Sequence, residues 1–236
     1  MLKCYICKMA RKKKPLIFEN ITVLDAGARG KTVAKAPDGR VIFLSNTVPG
    51  DVVDIRTGKK KKAYFEGTAI KFHEYSDKRV EPVCEHFEHC GGCKWQNMAY
   101  EHQLAYKEKE VINNLIRIGH LELPEITPIL GCKKSYFYRN KMEFSFSNSR
   151  WLTLEEINSE EQIDNRNACG FHISGMWDKI LDVKKCHLQE DPSNEIRNFI
   201  KNFGIENDLE FYNPREQSGL LRTIMLRISS TGEIMV

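Results

Sequence analysis

Four cysteines constrain this chain more than any other feature. Three fall within ten residues, as Cys84-x5-Cys90-Gly91-Gly92-Cys93, and a fourth, Cys186, stands 93 positions beyond Cys93. Thiolates are soft ligands that hold zinc or iron–sulfur clusters. Gly91 and Gly92 let the backbone turn tightly around an inorganic core, because glycine tolerates positive φ. Structural zinc usually takes two short ligand pairs. Three clustered cysteines plus a remote one suit a four-cysteine iron–sulfur cluster better. Zinc is the competing reading, because His86 and His89 lie inside the loop, and thiols without a ligand role are a third. Ligation by Cys186 would close a long loop and pin the second half of the chain to the first. Metal-site free energy of this kind is folding free energy.

The rest of the sequence limits where such a site can operate. A chain of 236 residues makes one or two domains, and 41% hydrophobic with 29% charged residues is ordinary for a globular protein. No run approaches the roughly eighteen apolar residues of a membrane helix. Arg11-Lys12-Lys13-Lys14 stands where a signal peptide would have its apolar stretch. Eight cysteines without an export signal therefore point to reduced thiols in a cytoplasm. Charge is divided unevenly. Residues 1–80 hold 18 Lys and Arg against 8 Asp and Glu, whereas residues 81–236 hold 18 against 24. A basic front on a mildly acidic body suggests that the front meets a polyanion such as nucleic acid.

Residues 1–14 read as a disordered basic tail containing Cys4-x2-Cys7, and Met9 is a credible start in its own right. Over residues 15–75 the pattern predicts five short strands closed into a small β-barrel, the economical way to hide strand edges. Its segments include Ile17–Leu24, Arg40–Leu44, Asp51–Arg56 and Ala63–Phe72, with Lys59, Lys60, Lys61 and Lys62 as a basic loop tip expected to bind RNA through its phosphates. Gly27-x2-Gly30 is not a nucleotide loop, because the full glycine pattern is absent and no helix follows.

Residues 76–236 read as an α+β domain. The spacing predicts a helix over 98–118, with Leu104, Val111, Leu115 and Ile118 on one face and Gly119 as its C-cap. It predicts a strand over 136–147, with Met142, Phe144 and Phe146 inward. Residues 153–168 read as a polar surface excursion, and Ile180–Val183 as a short strand. A second helix is expected from Asp191 as N-cap and Pro192 at its first position, with Ile196, Phe199, Ile200 and Phe203 facing the core and Gly204 at its end. Leu220–Ser229 is strand-like, Ser230-Thr231-Gly232 a turn, and Glu233–Val236 opens a further strand. That ending is expected to be a half-hairpin cut from something longer, and a site of self-association.

Together these pieces resemble the RNA (uracil-5-)-methyltransferase family, which methylates carbon 5 of uridine in ribosomal or transfer RNA. The resemblance rests on Arg79-Val80-x-Pro82-x-Cys84, Cys90-Gly-Gly-Cys93-x2-Gln96, Gln103-x3-Lys107-x3-Val111 and Leu115-Ile-Arg-Ile-Gly119. It continues through Tyr138-Arg139-Asn140-Lys141-Met142-Glu143-Phe144, Gly170-Phe171-His172, Asp182-Val183-x2-Cys186-x-Leu188 and Gly219-Leu-Leu-Arg222. It implies a 4Fe–4S cluster on Cys84, Cys90, Cys93 and Cys186, and an RNA-binding, OB-like TRAM barrel at the front. It places RNA contacts at Arg139, Asn140 and Lys141, where charge and hydrogen bonds alternate with Tyr138.

The family's reaction needs a domain that binds S-adenosylmethionine, with a cysteine nucleophile that attacks carbon 6 of a flipped uracil and a carboxylate that removes the carbon 5 proton. This sequence shows no such domain, and Cys132 and Cys169 lack the nucleophile's flanking pattern. The 236 residues by themselves are therefore expected to bind RNA, and neither to bind S-adenosylmethionine nor to methylate. A stand-alone RNA-binding iron–sulfur module acting with a separate catalytic chain is the alternative. A zinc-bound structural module is the reading from another class.

Overall fold

The computed structural model describes residues 15–60, 63–160 and 163–236. Cys4, Cys7 and the basic run to Lys14 lie outside the described residues, as do Lys61 and Lys62; of Lys59 and Lys60 the backbone alone is described. The chain divides into two compact units, Met1–Arg79 and Val80–Val236.

The first unit is a closed five-stranded barrel, consistent with the OB-like barrel expected. Its strands are β1 (Ile17–Ala26), β2 (Thr32–Lys35), β3 (Val41–Leu44), β4 (Val52–Lys60) and β5 (Tyr64–Glu74), in the order β1-β2-β3-β5-β4. β4 closes back onto β1, and β3 with β5 is the parallel pair. Period-two alternation makes it close. Ile42 and Leu44 on β3 and Val53 and Ile55 on β4 point inward and are fully buried with Val23, Ala34 and Phe65. Each large aliphatic side chain there stabilises the barrel by about 2 kcal/mol on leaving water. Gly67 is required at this packing, since a Cβ there would stand 2.6 Å from Ile55 Cγ2. The expected basic tip differs in form: β4 runs through Gly58 to Lys60 as strand.

The second unit is built on an antiparallel sheet of order β10-β9-β6-β7-β8. The strands are β6 (Lys141–Ser147), β7 (Ala168–His172), β8 (Ile180–Asp182), β9 (Thr223–Ile228) and β10 (Ile234–Met235). Met142, Phe144 and Phe146 on β6 are buried with Ile224 and Leu226 of β9, so the alternation set the face. The strand starts at Lys141 rather than at residue 136, and residues 136–140 carry no strand. The acidic excursion includes a one-turn helix, α2 (Leu154–Asn158). A capping box holds it, in which Thr153 and Glu156 exchange side-chain to backbone hydrogen bonds of 2.9 and 3.1 Å.

Both longer helices depart from expectation in what they bury. Helix α1 (Tyr100–Arg117) buries no residue, and Val111, Leu115 and Ile118 of its apolar stripe are exposed, Ile118 by 75%. Polar contacts hold it. Gln103 Nε2 donates to the Trp95 and Met98 carbonyls at 2.9 and 2.8 Å, and the Tyr100 hydroxyl accepts from the Cys132 N–H at 2.7 Å. The left-handed residue after α1 is His120, at φ 51, and not Gly119. Gly119 serves closeness, because a Cβ there would lie 2.6 Å from the Leu115 carbonyl oxygen.

Helix α3 (Ser193–Glu206) begins one residue later than expected, with Pro192 at the N-cap. Asp191 still accepts from the Asn194 N–H at 3.0 Å. The buried residues are Ser193, Asn194, Arg197 and Gly204, while Phe199 and Phe203 are exposed by 69% and 49% and stack on each other. The helix is therefore rotated from its apolar stripe, with Ile196 and Ile200 only partly buried. Arg197 forces this, since its guanidinium is anchored inside the core. Gly204 does not end the helix. It lets α3 approach closely, since a Cβ there would meet Leu221 Cδ1 at 2.5 Å.

Candidate functional site

Cys84, Cys90, Cys93 and Cys186 line one pocket of the second unit, with His86, Phe87, Gly92, Gln96, Phe171, Val183, Lys185, His187 and Leu188. Local backbone bonds shape the loop that carries the first three. The Phe87 N–H donates to the Cys84 carbonyl at 3.0 Å, and the Cys90 N–H to the His86 carbonyl at 2.7 Å. Gln96 accepts from the Cys84 N–H at 3.2 Å, and the Gly92 N–H points to Cys90 Sγ at 3.5 Å. A bridge between Cys90 and Ile173 attaches the loop next to β7.

Cys186 is held from the other side by α3. Asn194 Oδ1 accepts from its N–H at 2.7 Å, and Asn194 Nδ2 donates to its carbonyl at 3.1 Å. Arg197 is 0% exposed. Its Nη1 donates to Asn194 Oδ1 at 3.0 Å, its Nη2 to the Lys184 carbonyl at 2.7 Å, and its guanidinium lies 4.7 Å from the Phe144 ring. Neither Asn194 nor Arg197 was singled out from sequence. The only signal was a polar pair spaced three apart on an otherwise amphipathic helix, which ordinarily marks a solvated face.

Burial sets the chemistry of the free thiols. It pushes Cys90 up to about 11, with neighbouring thiols adding to the shift, and raises Cys84 and Cys186 as well. The two histidines are otherwise engaged. His86 Nε2 accepts from the Lys184 N–H at 2.9 Å, and the His89 ring lies 4.7 Å from that of Trp151. Among the described residues no group of three or more His, Cys, Asp or Glu is drawn together as it would be around a single metal ion. Cys169 is buried and stands at about 12, raised by burial, while Cys132 is exposed.

Of the expected RNA contacts, Arg139, Asn140 and Lys141 lie beside this pocket. Tyr138, Arg139, Asn140 and Lys141 are all exposed. The Phe137 and Arg139 N–H groups donate to the His187 and Leu188 carbonyls at 2.9 and 2.8 Å, so the run from Lys133 to Lys141 lies against the residues that follow Cys186. Lys141 pairs with Glu143 at 3.5 Å on the outer face of β6, which offsets part of its charge.

No family model matches the chain. In sequence it is 53% identical over 209 residues to an uncharacterized RNA methyltransferase of Bacteroides thetaiotaomicron, a match spanning 89% of this chain and 46% of the relative. It is 41% identical over 222 residues to another of Porphyromonas gingivalis, spanning 91% and 47%. Both relatives are named as RNA methyltransferases. The chain spans about half the length of these curated relatives. In structure it is similar to the Pyrococcus abyssi tRNA (uracil-54, C5)-methyltransferase solved in complex with S-adenosyl-L-homocysteine. That likeness has a TM-score of 0.61 and 24% identity, covers 91% of this chain and 44% of that one, and bears on the fold alone. Among the described residues no helix is long and apolar enough to cross a membrane.

Proposed function

We propose that this chain provides the RNA-binding and cluster-holding functions of an S-adenosylmethionine-dependent RNA (uracil-5-)-methyltransferase. The barrel is its TRAM-like module, and Cys84, Cys90, Cys93 and Cys186 are the ligands of a 4Fe–4S cluster. The observation that carries the reading is that four cysteines so far apart in sequence line one pocket beside an exposed basic run. The pocket wall has no carboxylate, and four thiols in one wall suit soft metal chemistry. His86 spends its Nε2 on a backbone N–H, which takes that nitrogen out of a mixed thiol–imidazole zinc set, and the spacing of three clustered cysteines and a remote one favours the cluster over a four-thiolate zinc. When bound, the cluster would join the loop of Cys84–Cys93 to the segment of Cys186, and methyl transfer asks no electron of it.

The relatives' names support RNA as substrate, and the motif resemblance supports uracil carbon 5. Arg139, Asn140 and Lys141 would position RNA, ribosomal or transfer, through phosphate and base-edge contacts.

Anaerobic purification followed by iron, sulfide and zinc analysis tests the site. The expected result is about four irons and four sulfides per chain with broad visible absorption, and a colourless, partly unfolded Cys186→Ala variant. Stoichiometric zinc in the wild type, or full iron in the variant with an unchanged melting profile, would remove the assignment. Calorimetry with S-adenosylmethionine, and tritium transfer to unmodified ribosomal and transfer RNA, test the expectation that these 236 residues alone neither bind the methyl donor nor turn over.

A further inference from the structure

Tyr75, at the end of β5, is 70% exposed, yet everything around it is fixed. Its ring stacks on Phe72 with centroids 5.2 Å apart and planes 22° apart. The Arg79 guanidinium lies 5.0 Å from the Phe72 ring and 5.2 Å from that of Tyr75. Arg79 is itself pinned, since Nε and Nη2 donate to the two oxygens of Asp51 at 2.8 Å each. Asp51 is fully buried and also accepts from the Val48 and Ser76 N–H groups at 2.7 and 3.0 Å. Ser76 Oγ donates to the Pro49 carbonyl at 2.7 Å, and the Arg79 N–H closes the turn onto the Ser76 carbonyl at 3.1 Å. Gly50, at φ +106, makes room for this closure, because a Cβ there would stand 2.7 Å from Ser76 Oγ.

An exposed aromatic residue by itself needs no explanation. A stacked pair held by an arginine on a buried carboxylate is different, because its ordering entropy is met before any ligand arrives. We propose that the Tyr75–Phe72 stack is a landing face for one unpaired base of a bound RNA strand. This rests on the RNA-binding reading above and deepens it by naming a contact and its ligand class. Every base presents a π face, so such a contact tolerates sequence. Arg79 is a strut here and not a phosphate ligand, since Asp51 balances its charge at close range. The size of the face also favours a base over a protein. Two aromatic side chains supply at most about 150–250 Å2 each, whereas a stable protein interface takes roughly 800 Å2 from each partner.

The test uses the 236-residue chain and fluorescence anisotropy with two probes, a labelled short oligouridylate and the same phosphodiester strand made abasic. Tyr75→Ala is expected to bind oligouridylate roughly tenfold more weakly, the size of one base stack. It should bind the abasic strand as the wild type does, with an unchanged salt slope. Tyr75→Phe and Tyr75→Trp should keep wild-type affinity, and Tyr75→Leu should behave as Ala. Should the alanine variant fold poorly, the leucine and phenylalanine variants carry the same comparison. Unchanged oligouridylate binding by Tyr75→Ala and Tyr75→Leu overturns the proposal while leaving RNA binding intact. An equal loss on the abasic strand overturns it too, because it would report charge or fold. A wild type that binds neither strand removes the RNA-binding reading, and this contact with it.

Discussion

Asn194 on α3 grips Cys186 by both ends of its peptide, accepting from the N–H at 2.7 Å and donating to the carbonyl at 3.1 Å. One amide side chain thus fixes the backbone of the remote cysteine, with Arg197 bracing the amide oxygen at 3.0 Å. Asn194→Ala leaves the Cys186 backbone groups buried and unpartnered, which costs about 1–3 kcal/mol. Urea denaturation of the wild type and the variant, both stripped of metal, should show that loss before any question of loading arises.

Arg197 presents a graded test. Arg197→Ala removes a fully buried side chain with its bonds to Asn194 and the Lys184 carbonyl, and a loss of about 3 kcal/mol or more is expected. Arg197→Met keeps most of the volume and removes Nε, a buried donor with no partner in this structure. Methionine should therefore be the milder change. Equal midpoints in urea for the two variants would show that the site depends on charge rather than on packing.

Lys59, Lys60, Lys61 and Lys62 supply four charges in one short span. If they meet phosphates, changing all four to Ala should weaken RNA binding about equally across sequences. It should also flatten the log–log salt dependence by about 0.7 for each single-strand phosphate that is no longer neutralised. Unchanged affinity and slope would make the run a solubilising surface only.

Cys169 and Cys132 should part company toward alkylating agents. Burial holds the Cys169 thiol at about 12, so it stays protonated and shielded at pH 8, whereas Cys132 is exposed. Peptide mapping after brief iodoacetamide treatment should find Cys132 modified and Cys169 intact. The raised value also fixes a sign. From the ordinary thiol value of 9.0 upward the unfolded chain loses this proton first, so the Cys169 contribution to stability falls between pH 9 and about 12.

What could be read from the residues was whatever repeats locally. Ile42, Leu44, Val53 and Ile55 alternate, and a closed barrel follows because alternation names the inward face. Met142, Phe144 and Phe146 do the same for β6. The face of α3 could not be read this way. Its buried stripe runs through Ser193, Arg197 and Gly204, and a polar pattern inside a core is legible only once Phe144 and the Lys184 carbonyl are in place to receive the guanidinium. The start of β6 was likewise set from outside. Residues 137 and 139 give their N–H groups to 187 and 188, which holds that stretch against a loop rather than in the sheet. For the pocket, spacing named the thiols, but their clamp is tertiary and left no mark in the spacing.

Helix α1 has a consequence of its own. None of its 18 residues is fully buried and only part of its surface, including Leu104 and Ile112, is half-buried, so its helicity draws largely on its internal ladder and a few side-chain hydrogen bonds to neighbouring loops. Helices of that length are marginal in water on such terms. Its amides should therefore trade hydrogen for deuterium through local fraying, on a clock separate from that of the sheet. Warming should drain its ellipticity gradually while the core still melts in one step.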